Sequence, residues 1–388
     1  MWDKSLQHWL LPERIDFLNQ RSGQPSAKDL FKARSAEEKT WLEQALLRHQ
    51  YKDKFPTWCQ NPHVFLPPSL HLQQATAEPV TKFKSTLVRG DSYSDLTMGM
   101  GMDLWGMRHS FARFMGAEPR LELAAITAYN LEVLGVQAQV LTQRAEDVYR
   151  AISDGTTVGL DPDRRPGTGG SKGDFSLHLP NPIPLWNELR TKGHQILLKA
   201  APLTDITSLQ RQLPGASHLW IIAWKNEVRE LLWANLEPGN PLQMATIRLD
   251  SAQVAFQWDE TRRNHKPPVS LPQDWIMDPY PEIHKAGVYA ELCERFGLSA
   301  LGTDTRLFTG QHPDPQFPGL IYRFNGWASK ATDFPLGARI ISRNHPQSPE
   351  ALRKAWKLKE NHRFLLAAIT NHEGSKKYLS GALYHPEG

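Results

Sequence analysis

The sequence predicts an α/β chain built on a doubly wound, mostly parallel sheet, and three observations carry that expectation. Short apolar runs of strand character alternate with helical stretches through the middle of the chain. The stretch Ser94–Gly106, SDLTMGMGMDLWG, sets Gly99 and Gly101 one residue apart between a short strand and a helix-like segment, an order that lets backbone approach a nucleotide-type ligand. Acids follow two of the predicted strands, Glu118 after the second and Asp161 after the fourth, where such a sheet has its ligand crevice.

Taken in order, the elements begin with helices. SAEEKTWLEQALLRHQ, from Ser35, has a serine cap, acids in its first turn and Trp41, Leu42, Ala45 and Leu46 at helical spacing. Prolines make KFPTWCQNPHVFLPP, residues 54–68, a loop. TLVRGDSYSDL ends in the first strand, and GMDLWGMRHSFARFM continues as a helix-like segment whose end, 112–117, forms a weak second strand. The helix LELAAITAYNLEVLG stops at Gly135, as expected of a C-terminal glycine. A third strand is expected at Gln139–Thr142, a fourth in TTVGLDP, a fifth in HQILLKAAP and a sixth in HLWIIAWKN. The fourth ends in Asp161 and Pro162, and DPDRRPGTGGSKGD follows, with Arg164, Arg165 and a glycine run suited to close over a substrate.

Beyond residue 236, MATIRLDSAQVAFQWDE alternates as two antiparallel strands, and VYAELCERFG reads as a helix after IHKAG, where His284 and Lys285 stand beside a turn. The C-terminal stretch shows a strand at 338–342 and a helix capped by Ser348 with Pro349 in its first turn. Two more strands follow, at 364–370 and 377–384, giving a βαββ unit.

Composition bounds the function classes. The chain has 388 residues, 40% hydrophobic and 22% charged, enough for several domains and ordinary for a globular protein. Cys59 and Cys293 stand far apart with no CxxC pairing, which argues against a zinc ribbon or a disulfide scaffold, predicts no metal, and fits a reducing cytoplasm. No apolar run is long enough to span a bilayer, so no membrane association is expected. The net charge of +4 is unevenly spread: residues 321–388 hold 11 Lys and Arg against 5 Asp and Glu, or +6, leaving 34 against 36, or −2, before them. A basic terminal region on a neutral body suits phosphate contacts or a solvated face.

The blocks FPTW, LPPSLHLQQATAE, DLTMGMGMD, LDPDRR, LLKAAPLTD, NEVRELL, IHKAG and RNHPQSPEALRKAWKLKENHRFLLAAI, in that order, resemble a class I S-adenosylmethionine-dependent methyltransferase, in the bacterial subfamily with a C-terminal THUMP-like domain. The resemblance implies a Rossmann-like methyltransferase sheet with an N-terminal helical unit, a small α+β insert and a C-terminal βαββ THUMP-like domain. The corresponding ranges are 1–60 for the helical region, 61–235 for the cofactor-binding domain, 236–320 for a ferredoxin-like domain and 321–388 for the THUMP-like domain. It implies that Asp95, Thr97, Gly99 and Gly101 line the methionine side of the cofactor, with Asp103 also cofactor-binding, that Gln74 and Glu78 close over that end, and that Glu118 holds the ribose hydroxyls. Asp161, Pro162 and Arg164 would face the methyl group and the acceptor. Two departures accompany these implications. Met98 stands where a small residue is usual and can crowd the cofactor; Arg144 stands where an acid usually meets the adenine amino group, leaving Glu146 or Asp147 to substitute.

The acceptor is expected to be nitrogen or oxygen. Attack by pyrimidine carbon 5 needs a thiolate, and neither cysteine is near Asp161 in sequence. Arg353, Lys354 and Lys357 on the C-terminal helix, with Trp356 as a stacking surface, point to structured RNA, rRNA or tRNA, as the partner. The competing readings are a small-molecule methyltransferase and a non-catalytic RNA-binding protein. A nicotinamide enzyme is disfavoured, since DLTMGMGMD lacks three-glycine spacing. Oligomeric state is not readable.

Overall fold

The computed structural model describes residues 2–20, 26–164, 174–250, 256–258 and 265–384. Arg165 and the glycine run after it therefore lie outside the described residues, as does part of the alternating stretch before Trp258. The chain divides into two compact units, Met1–Leu219 with Glu230–Leu242, and Trp220–Arg229 with Gln243–Gly388.

The first unit is built on the expected methyltransferase-type sheet. Its strands are β1 (Ser92–Asp95), β2 (Arg113–Ala117), β3 (Ala138–Leu141), β4 (Thr157–Leu160), β5 (Gln195–Ala200) and, after β6 (His218–Trp224), the reverse-running β7 (Glu227–Asn235). They lie in the order β3-β2-β1-β4-β5-β7, parallel but for β7, which is antiparallel to β5. The order reverses beside β1, which puts the ligand crevice at its carboxyl end. Val158, Ile196 and Leu198 are fully buried because the sheet is covered on both faces, so these strands read as continuous apolar runs.

The glycine loop turns sharply after β1. Gly101 takes φ +80° at the start of the short helix Met102–Gly106, and a Cβ there would meet Thr127 Cγ2 at 2.8 Å. The helix-like run of the sequence is in fact that single turn of helix, a 3₁₀ turn at Met107–His109, and then β2. Helix Leu121–Val133 follows, ending two residues before Gly135.

The N-terminal helices belong to the same unit. Ser35 caps helix Ala36–Tyr51, accepting from the Glu38 backbone at 3.1 Å. Trp9 and Phe65 pack on Ile126 of helix Leu121–Val133, and Arg48 donates to the carbonyls of Cys59 and Asn61 at 2.9 and 3.0 Å. The proline-rich loop after this helix contains a short helix, Pro56–Gln60.

In the second unit, β8 (Gln243–Arg248) and β9 (Phe256–Trp258) pair antiparallel. A separate seven-stranded sheet is built from β10 (Trp275–Pro279), β11 (Ser299–Ala300), β12 (Phe308–Gly310), β13 (Gly319–Trp327), β14 (Arg339–Arg343), β15 (Phe364–Thr370) and β16 (Lys376–Leu383). Its order is β11-β12-β10-β13-β16-β15-β14, so strands from 275–310 and 339–383 share one sheet through β13. β14 and β15 are parallel, joined by helix Pro349–Trp356, which Ser348 caps. Among the described residues, no helix is long and apolar enough to cross a membrane.

Gly101→Ala should cost about 1–3 kcal/mol, from the left-handed conformation and the Thr127 clash. Urea denaturation measures it, and an unchanged midpoint would show that the loop relaxes freely.

Candidate active site

The carboxyl ends of β1 to β4 surround a cavity of about 410 Å³, within the range of about 300–1,000 Å³ usual for cofactor sites. Asp95, Thr97, Gly99, Asp103, Glu118, Glu146, Asp161 and Gln74 all line it, together with Met98, Arg144, Leu179 and Pro180. Four sequence-predicted residues are not among its lining. Gly101 supports the loop from behind, and Pro162 is buried. Arg164 pairs through its backbone with His178. Glu78 holds a neighbouring segment instead of the ligand. Its buried carboxylate accepts from the Thr57 backbone and hydroxyl at 2.9 and 2.6 Å, at the start of helix Pro56–Gln60.

Register explains most of the convergence. Asp95, the last residue of β1, lies opposite Gly116 of β2 and Gly159 of β4, so bare backbone flanks it on both sides. Leu160 lies opposite Leu198, and the next residues, Asp161 and Lys199, form an ion pair at 2.5 Å. The Thr97 hydroxyl accepts from the Asp161 backbone at 2.6 Å, while the Thr97 backbone donates to Asp95 at 3.0 Å, tying β1 to β4 across the cavity floor.

Below the loop runs a charge network whose pairings no sequence motif signalled. Lys84, on helix Glu78–Leu87, is buried with its ammonium 2.9 Å from Asp103 and 3.0 Å from Glu230 of β7. Burial pushes the Lys84 ammonium down, but Asp103 and Glu230 outweigh it and hold it well above its ordinary value. Lys199 is likewise raised, burial being outweighed by Asp161. Asp95 has no such partner: burial first, then the neighbouring Asp103, lift its carboxyl to about 7. Four acids, Asp95, Asp103, Asp161 and Glu230, thus face two lysines, and the imbalance suits a cationic ligand.

Met98 is buried with its side chain over Gly116, where a Cβ would come within 2.3 Å of its sulfur; the glycine on β2 makes the room that the bulky side chain needs. Arg144 and Glu146 both reach the cavity after β3, and Asp147 is not among its lining. Glu118 is 3% exposed and already engaged, accepting from the Arg120 backbone at 2.9 Å and its guanidinium at 2.7 and 3.0 Å. A carboxylate has about four acceptor positions, so with three taken by Arg120 one remains free, on Oε2. Cys59 is not among the cavity lining, and burial raises its thiol to about 11; burial raises Cys293, in the other unit, to about 12. Neither is a ready thiolate.

In the second unit, Arg353 pairs with Glu360, whereas Lys354 and Lys357 are exposed on the C-terminal turn of helix Pro349–Trp356. Trp356 is not an open stacking surface: it is half-buried, its ring 6.2 Å from Phe334 and 5.2 Å from Tyr378, filling the core under the sheet. His284 and Lys285 also belong to this unit, with His284 Nδ1 3.1 Å from the Tyr289 hydroxyl.

Comparison with known proteins agrees with this architecture. Over 92% of its length the chain is 26% identical to a protein of Mycobacterium tuberculosis named as an uncharacterized S-adenosylmethionine-dependent methyltransferase, 99% of which is covered; two strains carry it. A crystal structure from Porphyromonas gingivalis W83, provisionally named a methyltransferase, superposes with a TM-score of 0.84 at 23% identity, covering 99% of both chains. A ferredoxin-like domain matches residues 275–318. The chain has the fold of class I S-adenosylmethionine-dependent methyltransferases, and the relatives it resembles along most of its length are named for that activity. Within that class it carries a C-terminal unit with its own sheet and a ferredoxin-like domain.

Lys84→Met should cost about 3–5 kcal/mol, because Asp103 and Glu230 would stay buried without their cation. Chemical denaturation tests this, and Glu230→Gln in the same chain should recover part of the loss. Wild-type stability in Lys84→Met would show that the network holds nothing together.

Proposed function

We propose that this methyltransferase modifies a nucleotide within structured RNA, rRNA or tRNA, with S-adenosylmethionine bound in the cavity at the ends of β1 to β4. The cavity fits that cofactor. Its acid excess complements the sulfonium and ammonium charges, Gly99 presents backbone without a side chain, and Glu118 stands past β2 where a ribose would lie. When bound, the cofactor supplies an electrophilic methyl group.

The remaining work is alignment and proton handling. Asp161 is oriented by Lys199 and by its own backbone bond to Thr97, and its side chain, 37% exposed, is accessible to an acceptor. Paired with Lys199, it accepts a hydrogen bond from an acceptor N–H or O–H and aims the lone pair at the methyl group. Two raised thiols argue for nitrogen or oxygen as that acceptor. Leu179 and Pro180 form an apolar part of the wall near Asp163, suited to a base.

The observation that carries the RNA reading is the charge of the C-terminal unit. Residues 321–388 are +6, and Lys354, Lys357 and Lys359 are exposed along the end of one helix and the turn after it, with no ion pair to an acid among the described residues. Such a strip meets phosphates.

Calorimetric titration with S-adenosylmethionine should show binding that weakens at least about tenfold in Asp95→Asn and in Glu118→Ala. The pH dependence has a definite sign. Asp95 is protonated below about 7, so affinity should fall as pH drops through that value, by up to about tenfold per unit, and Asp95→Asn should flatten the profile. A profile flat from pH 6 to 8 in the native protein would remove Asp95 from cation binding.

For the RNA reading, filter binding to tRNA and rRNA fragments should weaken steeply between about 50 and about 200 mM salt. Lys354→Glu with Lys357→Glu should reduce it further while leaving cofactor affinity unchanged. Cofactor binding without RNA binding would favour a small-molecule acceptor, and RNA binding without cofactor binding a non-catalytic role.

A further inference from the structure

Glu118, the acid placed to meet ribose hydroxyls, is held by a residue to which methyl transfer assigns no task. Arg120, two residues later, lines the same cavity and grips that carboxylate in three ways. Its backbone N–H donates to Oε1 at 2.9 Å, its Nε donates to Oε1 at 2.7 Å, and its Nη2 donates to Oε2 at 3.0 Å. The remaining guanidinium nitrogen, Nη1, lies 3.5 Å from His71 Nδ1 on helix Ser69–Gln74. His71 and Gln74 of that helix line the cavity too, and its last carbonyls are fixed by Lys54, whose ammonium is 2.8 Å from the Leu72 oxygen and 2.7 Å from the Gln73 oxygen. One side chain therefore joins the acid past β2 to an anchored helix at the edge of the site.

The backbone contact and the side-chain contacts are separable. The backbone bond depends only on the turn from Glu118 to Arg120, so it persists wherever the side chain goes and keeps the buried carboxylate oriented. The Arg120 side chain is 50% exposed, so water can solvate the guanidinium once it leaves. Ribose carries two hydroxyls on adjacent carbons, and a grip by both carboxylate oxygens needs one acceptor position on each. Oε1 has both positions filled, one by the backbone and one by Nε, whereas Oε2 keeps one. Nε is thus the donor that a second hydroxyl has to replace.

We propose that Arg120 is an autoinhibitory latch on the cofactor site: its guanidinium competes with the ribose hydroxyls for Glu118, and cofactor binding displaces it and releases its contact to His71. The latch rests on the placement of the ribose at Glu118 given above. The exchange is close to balanced, because two hydroxyl donors replace a charged fork whose exposure to water weakens it. Arg120 accordingly lowers cofactor affinity, and does so only for ligands that carry the hydroxyls.

The test is calorimetric titration of the full-length protein with S-adenosylhomocysteine, which has no net charge, and with its 2′,3′-dideoxy analogue. Arg120→Ala should tighten S-adenosylhomocysteine about threefold to fivefold, and Arg120→Lys, which keeps the charge but not the fork, by less. Neither variant should change affinity for the dideoxy analogue, and Arg120→Ala should have no effect in a Glu118→Ala chain. Should Arg120→Ala fail to fold, Arg120→Lys, which retains a cation for the buried acid, carries the test. Unchanged or weaker binding of S-adenosylhomocysteine by the folded variants overturns the latch; if Glu118→Ala still weakens binding, the ribose reading stands without it. Equal tightening of both ligands also overturns it, because competition for Glu118 requires the hydroxyls. If Glu118→Ala and removal of the hydroxyls both leave affinity unchanged, the ribose reading falls and the latch falls with it.

Discussion

The structure around the cavity depends on one buried ion cluster, Lys84 between Asp103 and Glu230. Its three members come from a helix before the sheet, from the glycine loop and from the reversed strand β7. Desolvating these groups is costly, and each is tolerable only because the other two are in place. The geometry of the loop beneath the ligand is therefore coupled to the packing of a helix nearly twenty residues earlier and of a strand more than a hundred residues later. Asp95 sits beside this cluster without a cation of its own, which is why its carboxyl is lifted to about 7. The same low-dielectric surroundings that make an unpaired acid expensive make it a strong partner for a cation delivered by a ligand.

That arrangement divides labour within the site. Thr97 links Asp95 and Asp161, so the glycine loop and the acid at the end of β4 are held by one hydroxyl and one backbone amide. Lys199 pairs with Asp161 and also reaches the Gln74 carbonyl at 3.4 Å, joining the end of β4 to the segment over the cavity. The N-terminal helices add no group to this set, and their packing on helix Leu121–Val133 braces the wall that stands behind Gly101. In the second unit the same physics operates separately, with Asp278 as the buried acid and two arginines of β14 as its partners.

The elements readable in the sequence are those whose signal is local. β2, β3, β4 and β5 fall within a residue or two of their expected positions because each carries a short apolar run close to turn residues, and β1 ends where the glycine loop begins. The Ser35 and Ser348 caps and Gly135 mark helix ends through their own hydrogen bonding or φ. The helix after the glycine loop is shorter than the sequence suggests, since MRHSFARFM has helical composition but its second half pairs with β1 and becomes β2. Trp356 reads as an exposed platform because one helical turn shows a basic face; Phe334 and Tyr378, from elsewhere in the chain, cover it. Glu78 stands in sequence beside the cavity segment like part of a lid, yet Thr57 claims its carboxylate.

By itself, the sequence determined the alternation of strands and helices, the glycine loop with its positive-φ residue, the acids at strand ends and the basic bias of the last 68 residues. Each of these is written in neighbouring residues and needs no distant partner. Tertiary structure alone decided which charges meet. Lys84 lies in none of the motif blocks, and the blocks that contain Lys199 and Glu230 name no partner for them, because a lysine or glutamate in a helix or strand looks the same whether it ends in water or against an opposite charge from a distant part of the chain. The same holds for Met98, whose fit depends on Gly116 in the neighbouring strand, and for Asp278, whose arginines arrive from β14. Burial and pairing are properties of the assembled sheet, and the energy of a charge is set by what surrounds it rather than by its place in the chain.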